Sequence, residues 1–158
     1  MLKFPIMKKQ SHLYFLVPGI AIVWIIDFIS KYFAQQLFTS PVELTPFVTF
    51  SLSRNANLAF GIYSPMMLTV FFSIVAITFL IFIYSKYVQK KSKLAVLTFA
   101  LIFGGALGNL FERIFSRSVV DFISAMGIPN FNLADAFITT GVIILIFAHK
   151  KVFLTPKK

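Results

Sequence analysis

The stretch LAVLTFALIFGGALGNLF, residues 94–111, decides the fold class of this 158-residue chain. It carries no charged residue, and at a rise of about 1.5 Å per residue a helix of this length approaches the hydrocarbon thickness of a bilayer. The chain as a whole is similar, because 58% of its residues are hydrophobic, 21 are Phe and the mean hydropathy is +0.87. These values lie outside the range of soluble domains. They predict an integral membrane protein.

Three further apolar runs stand out in a window of about 19 residues. They cover residues 13–29, 66–84 and 133–148. We therefore predict an all-α integral membrane protein, a four-transmembrane-helix bundle that forms one membrane domain over residues 1–158. The first run follows several lysines, as a signal peptide would, but no small-x-small cleavage site comes after it. We interpret it as a retained helix.

Two outer loops, about 30–65 and 112–132, connect the predicted helices. In the longer loop, LTPFVTFSLS (44–53) alternates apolar and polar residues and predicts a small β-element. SRNAN (53–57) contains turn residues, and LAFGIYSP (58–65) predicts a short interfacial segment. The second loop is expected to be a short return connection.

The charged residues predict the orientation in the membrane. Eleven of the 15 Lys and Arg residues lie in residues 1–12, 85–93 and 150–158, and four lie on the opposite side of the bundle. Such an excess marks the cytoplasmic side, so both termini are expected there. All five acidic residues fall at or beyond the other ends of the helices: Asp27, Glu43, Glu112, Asp121 and Asp135. Acid chemistry is therefore expected at the extracytoplasmic face.

Composition also limits cofactors and partners. The chain has no cysteine and two histidines, His12 and His149, near its ends, which leaves too few ligands for a thiolate-built or His-built metal site. Its net charge of +10 comes from cations that flank apolar segments and do not cluster with stacking aromatics. We expect no metal, membrane lipids as partners, and no nucleic acid.

A polar stripe follows one face of the third predicted helix. Gly105, Asn109 and Arg113 recur at every fourth position, which places them on one side of the helix. In one interpretation, Gly104 and Gly108 promote close helix packing and Arg113 reaches a lipid phosphate. In the other, the stripe belongs to a site at the outer surface. Asn109 favours the second, because a buried amide requires hydrogen-bond partners.

Two further polar pairs also have alternative explanations. Asp27 and Lys31, one helical turn apart, either stabilise a helix end, brace the outer loop, or meet a lipid headgroup. In NLAD, Asn132 and Asp135 fit a capping box, which explains Asp135 without catalysis. The cap leaves Asp121 unexplained.

Asp121 and Asp135 together predict acid–base chemistry. Two close carboxylates repel each other, so one pKa rises and one group is protonated while the other is ionised. The ionised group can deprotonate water, and the acid can polarise a peptide carbonyl and protonate the departing amine. This is the chemistry of aspartyl proteases. The two residues lie 14 positions apart, which leaves open whether their side chains meet.

Five motifs carry a family resemblance. They are DFISK (27–31), NANLAF (55–60), GGALGNLFERI (104–114), VVDFI (119–123) and FNLADAF (131–137). In this order and between four apolar runs, they resemble the lipoprotein signal peptidase (signal peptidase II) family over about residues 13–148. The resemblance implies a cofactor-free aspartyl endopeptidase at the extracytoplasmic face of the bacterial inner membrane. Such enzymes remove signal peptides from diacylglyceryl-modified prolipoproteins, cutting before the lipidated cysteine.

The same resemblance implies roles for single residues. Asp121 and Asp135 match the catalytic dyad. The substrate-binding and supporting positions match Asn55, Gly105, Asn109, Arg113, Asn132, Ala134, Asp27 and Lys31. The chain departs from the family pattern at Asn57, where Gly is usual, and at Glu112, where Asp is more familiar. We expect a monomer whose substrate is a diacylglyceryl-prolipoprotein.

Two other functions remain open at this point. One is a small proton or ion carrier that uses the acids as relay groups; against it, no chain of ionisable residues crosses the hydrocarbon. The other is a lipid-binding assembly protein without catalysis. An assay for mature lipoprotein distinguishes both from a peptidase.

Overall fold

The computed structural model describes residues 13–56, 65–88, 92–125 and 127–153. Five helices and four strands follow in the order α1 (Leu13–Leu37), β1 (Val42–Thr45), β2 (Val48–Asn55), α2 (Met66–Tyr87), α3 (Lys93–Ser116), β3 (Val119–Ala125), β4 (Ile128–Phe131), α4 (Leu133–Phe147) and α5 (His149–Val152).

Three helices, α1, α2 and α3, are long and apolar enough to cross a membrane. The apolar helix α4 is shorter, with 15 residues. The chain is therefore a helical membrane protein with three long apolar helices, and the fourth crossing stays a prediction.

The helix α3 lies at the centre of the bundle and packs against α1, α2 and α4. Small residues allow the close approach. A Cβ atom added to Gly104 would lie 2.6 Å from the Val23 side chain of α1, and one added to Gly105 would lie 2.5 Å from the Ala134 carbonyl oxygen of α4. Both distances are shorter than any real contact, so a larger residue at either position would push the helices apart.

Two helices extend further than hydropathy indicated. The helix α1 continues beyond the predicted end at residue 29 to Leu37, because Lys31 is buried and paired within the bundle and does not mark a water-exposed helix end. The helix α3 continues to Ser116 and ends at Arg117, whose φ of 59° is left-handed. Hydropathy ends a span at the first polar residues, whereas a helix continues when those residues find partners.

A four-stranded antiparallel sheet in the order β1-β2-β3-β4 packs against the helices. The predicted β-element in residues 44–53 is present as the hairpin β1–β2. The prediction of an all-α membrane protein with a β-element in the first outer loop is confirmed in part, because β3 and β4 also form, from the segment predicted as a short return connection. The cause is pairing between distant segments, Ser53 opposite Asp121 and Asn55 opposite Val119. This pairing satisfies backbone groups that β2 would otherwise leave open.

Aromatic stacking seats the sheet against the end of α1. The ring of Phe38 stacks on Phe50 of β2 with 4.8 Å between centroids and on Phe122 of β3 with 6.3 Å. These contacts fix β3 relative to the helices. The predicted interfacial segment around residues 58–65 lies almost entirely outside the described residues.

Candidate active site

Asp121 lies in the middle of β3 and is only 2% exposed. The amide Nδ2 of Asn55, on the neighbouring strand, donates to Oδ2 of Asp121 at 3.1 Å, and Nδ2 of Asn132 donates to Oδ1 at 2.7 Å. The pKa of Asp121 is raised from 3.8 to about 6, mainly because the carboxylate is buried. The hydrogen bonds from Asn55 and Asn132 and the charge of Lys31 oppose the rise, whereas the charge of Asp135 adds to it. Asp121 is thus poised to exchange a proton near neutral pH.

Asp135 lies in the first turn of α4, and the predicted capping box is present. Oδ1 of Asn132 accepts from the backbone N–H of Asp135 at 3.0 Å, and Oδ2 of Asp135 accepts from the backbone N–H of Asn132 at 3.3 Å. The other carboxylate oxygen, Oδ1, accepts from Nδ2 of Asn109 at 2.9 Å. One oxygen of Asp135 therefore caps the helix while the other faces the polar stripe of α3.

Two asparagine side chains connect the carboxylates. Asn132 binds Asp121 through its side chain and Asp135 through its backbone N–H. Oδ1 of Asn109 accepts from Nδ2 of Asn132 at 3.3 Å. Both carboxylates consequently share Asn132 as a partner, even though they lie on different elements.

Gly105 and Ala134 explain why α3 and α4 come so close at this level. Ala134 is fully buried, and the missing Cβ of Gly105 leaves room for its carbonyl group. Since Asn109 lies one turn beyond Gly105 on α3, the close approach brings its amide to Asp135. The two small residues therefore set a distance within the site.

The ammonium group of Lys31 is 3% exposed and has three partners. It donates to Oδ2 of Asp27 at 2.7 Å, to Oε2 of Glu112 at 2.8 Å and to Oδ1 of Asn109 at 2.9 Å. These bonds use all three of its N–H donors. Oδ1 of Asp27 in turn accepts from the backbone N–H of Ala134 at 2.9 Å. In this structure the pair binds protein atoms and not a lipid headgroup.

Sequence reasoning did not assign Glu112 to the site. Its carboxylate binds Lys31 and accepts from the backbone N–H of Val120 at 3.4 Å. The available signal was its position three residues after Asn109, which places both on one face of α3.

Arg113 lies at the edge of this arrangement. It is partly buried, and its charge interacts with those of Asp121 and Asp135, although no ion pair shorter than 4.0 Å joins it to an acid within the described ranges. Its buried Nε has no hydrogen-bond partner there. All ten residues predicted for the site thus come together, nine of them in direct contact and Arg113 beside them. Asn57 lies outside the described residues.

The assembled groups suit acid–base hydrolysis. The raised pKa of Asp121 suits proton exchange near neutral pH, Asp135 is partly exposed, and three amides orient the two carboxylates. Across the described part of the chain, no group of three or more His, Asp or Glu residues could hold a metal ion. Fold and site together define a multi-pass membrane protein with two linked carboxylates, one buried and one partly exposed.

Residues 19–151 match the family described as Signal peptidase (SPase) II. The chain therefore belongs to the signal peptidase II family, and it is a peptidase of a bacterial membrane. A lipoprotein signal peptidase from Aquifex aeolicus is 36% identical over 156 residues, covering 90% of this chain and 89% of the relative. One from Caldicellulosiruptor bescii is 40% identical over 126 residues, covering 78% and 83%.

Two solved structures of a bacterial membrane enzyme, determined by the in meso method, share the fold. One, at 2.3 Å resolution, superposes with a TM-score of 0.75 and 30% sequence identity. The superposition covers 86% of this chain and 87% of the solved chain. The other, at 1.9 Å resolution, superposes with a TM-score of 0.73 and 31% sequence identity, over 86% of this chain and 92% of the solved chain.

Proposed function

We propose that this chain removes the signal peptide from diacylglyceryl-modified prolipoproteins, cutting before the lipidated cysteine, with Asp121 and Asp135 as the catalytic dyad. The observation that carries the proposal is that both carboxylates bind one residue, Asn132, while one of them has a strongly raised pKa. Family membership and the names of the relatives support the substrate class.

In the proposed mechanism the two carboxyl groups play different roles. With a pKa of about 6, Asp121 keeps its proton in roughly a tenth of molecules at pH 7 and half at pH 6. Asp135 takes a proton from water, and the oxygen of that water attacks the scissile carbonyl carbon. Asp121 protonates the carbonyl oxygen. When the C–N bond breaks, Asp135 gives its proton to the departing amine, and one hydroxyl of the tetrahedral intermediate returns a proton to Asp121 as the carboxyl product forms.

A groove on the helices supports an apolar, lipid-borne substrate. It has a volume of about 220 Å³, lies on α1 and α3, and is lined by Trp24, Ile25, Phe28 and Phe111. Such a groove suits an acyl chain or the apolar signal peptide. Arg113 and Asn55 supply polar groups next to the dyad that orient the peptide backbone.

The proposal includes the membrane orientation. The chain would form one domain with α4 as a fourth crossing, both termini in the cytoplasm, and the sheet with the dyad at the extracytoplasmic face. The Lys and Arg asymmetry supports this orientation. We further propose that the enzyme works as a monomer.

The test is cleavage of a diacylglyceryl-modified prolipoprotein by purified enzyme in lipid nanodiscs. We expect Asp121→Asn and Asp135→Asn to lower kcat by about three orders of magnitude or more, as removal of one member of a catalytic unit does. The matched control is Glu43→Gln, an exposed acid on β1, which should cleave at the wild-type rate. Substantial cleavage by Asp121→Asn would refute the aspartyl mechanism, and no cleavage by the intact chain would refute the activity.

A further inference from the structure

The backbone N–H groups that immediately precede the two dyad residues are bound in the same way. Val120 precedes Asp121, and its N–H donates to Glu112 at 3.4 Å. Ala134 precedes Asp135, and its N–H donates to Asp27 at 2.9 Å. Each half of the dyad is thus attached, through its neighbour's backbone, to a carboxylate on a different membrane helix.

One cation joins these two attachments. Lys31 lies between the acids, 2.7 Å from Asp27 and 2.8 Å from Glu112, and its third donor binds Asn109 at 2.9 Å. Asp27 and Lys31 are almost completely buried, and the Glu112 side chain is 16% exposed. Little water is available to replace these bonds, so the geometry of the three groups is tightly determined.

We propose that Asp27, Lys31 and Glu112 form a charged brace that holds Asp121 and Asp135 at their working separation, with Glu112 as the positioning residue for Asp121. Glu112 acts through the N–H of Val120 and Asp27 acts through the N–H of Ala134. Lys31 couples Asp27 and Glu112. A displacement of β3 is therefore resisted by the attachment to α4, and a displacement of α4 is resisted by the attachment to β3. The brace acts through backbone N–H groups and the amide of Asn109. The inference rests on the catalytic dyad proposed above.

The contacts of Glu112 permit a matched pair of variants. A single oxygen, Oε2, binds both Lys31 and the N–H of Val120. Glu112→Gln keeps an oxygen acceptor at this place, whereas Glu112→Met has a similar volume and no such acceptor. Both variants lose the same charge and leave Lys31 paired with Asp27. Any difference between them therefore reports the loss of this acceptor, which joins β3 and Lys31 to α3, and not the loss of charge.

The experiment measures kcat and KM for a diacylglyceryl-modified prolipoprotein in nanodiscs, using only protein that remains folded. We expect Glu112→Met to lower kcat about 10- to 100-fold with KM changed less than about twofold, because a misplacement of one ångström in a dyad costs this much. Glu112→Gln should retain kcat within about threefold. Glu43→Met, the same change on an exposed strand, should match the wild type.

Wild-type kcat in folded Glu112→Met would overturn the brace, and so would equal losses in the Gln and Met variants. If Glu112→Met does not fold, the comparison moves to Asp27→Asn and Asp27→Leu, where the acceptor for Ala134 is kept or lost, with the same two overturning outcomes. Asp121→Asn is measured in parallel. Its full activity would refute the dyad itself, whereas its inactivity beside an active Glu112→Met would refute the brace alone.

Discussion

The side-chain amide of Asn132 donates a 2.7 Å hydrogen bond to Oδ1 of Asp121. Asn132 is also the N-cap of α4 and accepts from the backbone N–H of Asp135. The residue that starts the helix is therefore the residue that joins it to the strand carrying the other carboxylate. The cap of α4 and the proposed catalytic arrangement therefore share one set of bonds.

Asp135→Asn distinguishes the cap from the catalyst. An amide at this position still offers an acceptor oxygen to the N–H of Asn132 but no second acceptor to Asn109, so the variant should lose about 1–2 kcal/mol of stability. Turnover should fall by about three orders of magnitude, and Asp121→Asn/Asp135→Asn should be hardly worse than either single variant. Thermal unfolding and single-turnover cleavage measure the two effects. Additive losses in the double variant would speak against a dyad.

Asn55→Ala tests the ionisation of Asp121. The Asn55 amide donates to the carboxylate and so stabilises its ionised form; without it, the pKa of Asp121 should rise further above about 6. If the protonated group is the active one, kcat/KM falls as pH rises through this pKa, and the variant's fall should occur at higher pH.

The control for Asn55→Ala is Ser53→Ala. The Ser53 hydroxyl donates to the backbone oxygen of Asp121, not to its carboxylate, so its pH profile should keep the wild-type midpoint. Identical pH profiles for Asn55→Ala and the wild type would contradict the assignment of the fall in kcat/KM at rising pH to Asp121.

Gly105→Ala tests the close approach of α3 and α4. Its Cβ would lie 2.5 Å from the Ala134 carbonyl oxygen, so we expect about 1–3 kcal/mol of destabilisation and at least about tenfold lower kcat, because Asn109 moves away from Asp135. Gly141→Ala is the control on the same helix pair, where the new Cβ meets the Ile102 side chain at 2.5 Å. It should cleave normally per folded molecule. Equal kcat in the two variants would remove Gly105 from the site.

Asn109→Ala and Arg113→Ala test the stripe on α3. Asn109 binds Asp135, Asn132 and Lys31, so its loss should lower kcat about 10- to 100-fold. Arg113 has a buried Nε without a partner in the described chain, and its loss should mainly raise KM if it orients the substrate. Both variants should insert into the membrane as the wild type does. Wild-type kinetics in both variants would show that the stripe serves helix packing and lipid contact and not catalysis.

The proposed topology is tested by a reporter fused after Lys158. A reporter that is active only outside the cytoplasm should remain inactive there, because the Lys and Arg excess at both chain ends favours the cytoplasmic side. The positive control is insertion of the same reporter at Gly127, between β3 and β4, where it should be active. Reporter activity after Lys158 would show that the C-terminus lies outside the cytoplasm and that the proposed orientation is wrong.

Much of this protein was determined by its sequence. The apolar runs predicted the helices because transfer of long apolar segments out of water dominates their free energy. NLAD predicted the cap of α4, since capping depends on residues within one turn. The motifs around Asn109, Asp121 and Asp135 pointed to a dyad.

Only the tertiary structure decided the sheet, the end of α1 and the brace. The pairing of β2 with β3 joins residues 64 to 77 positions apart, from Asn55 with Val119 to Val48 with Ala125, and no local pattern specifies such a pair. Hydropathy ended the first helix before Lys31, because a lone charge in a membrane is costly. That cost is removed by Asp27 and Glu112, and Glu112 lies 81 residues away on another helix. The local sequence shows that burying Lys31 is unfavourable, whereas only the fold shows which acids compensate its charge.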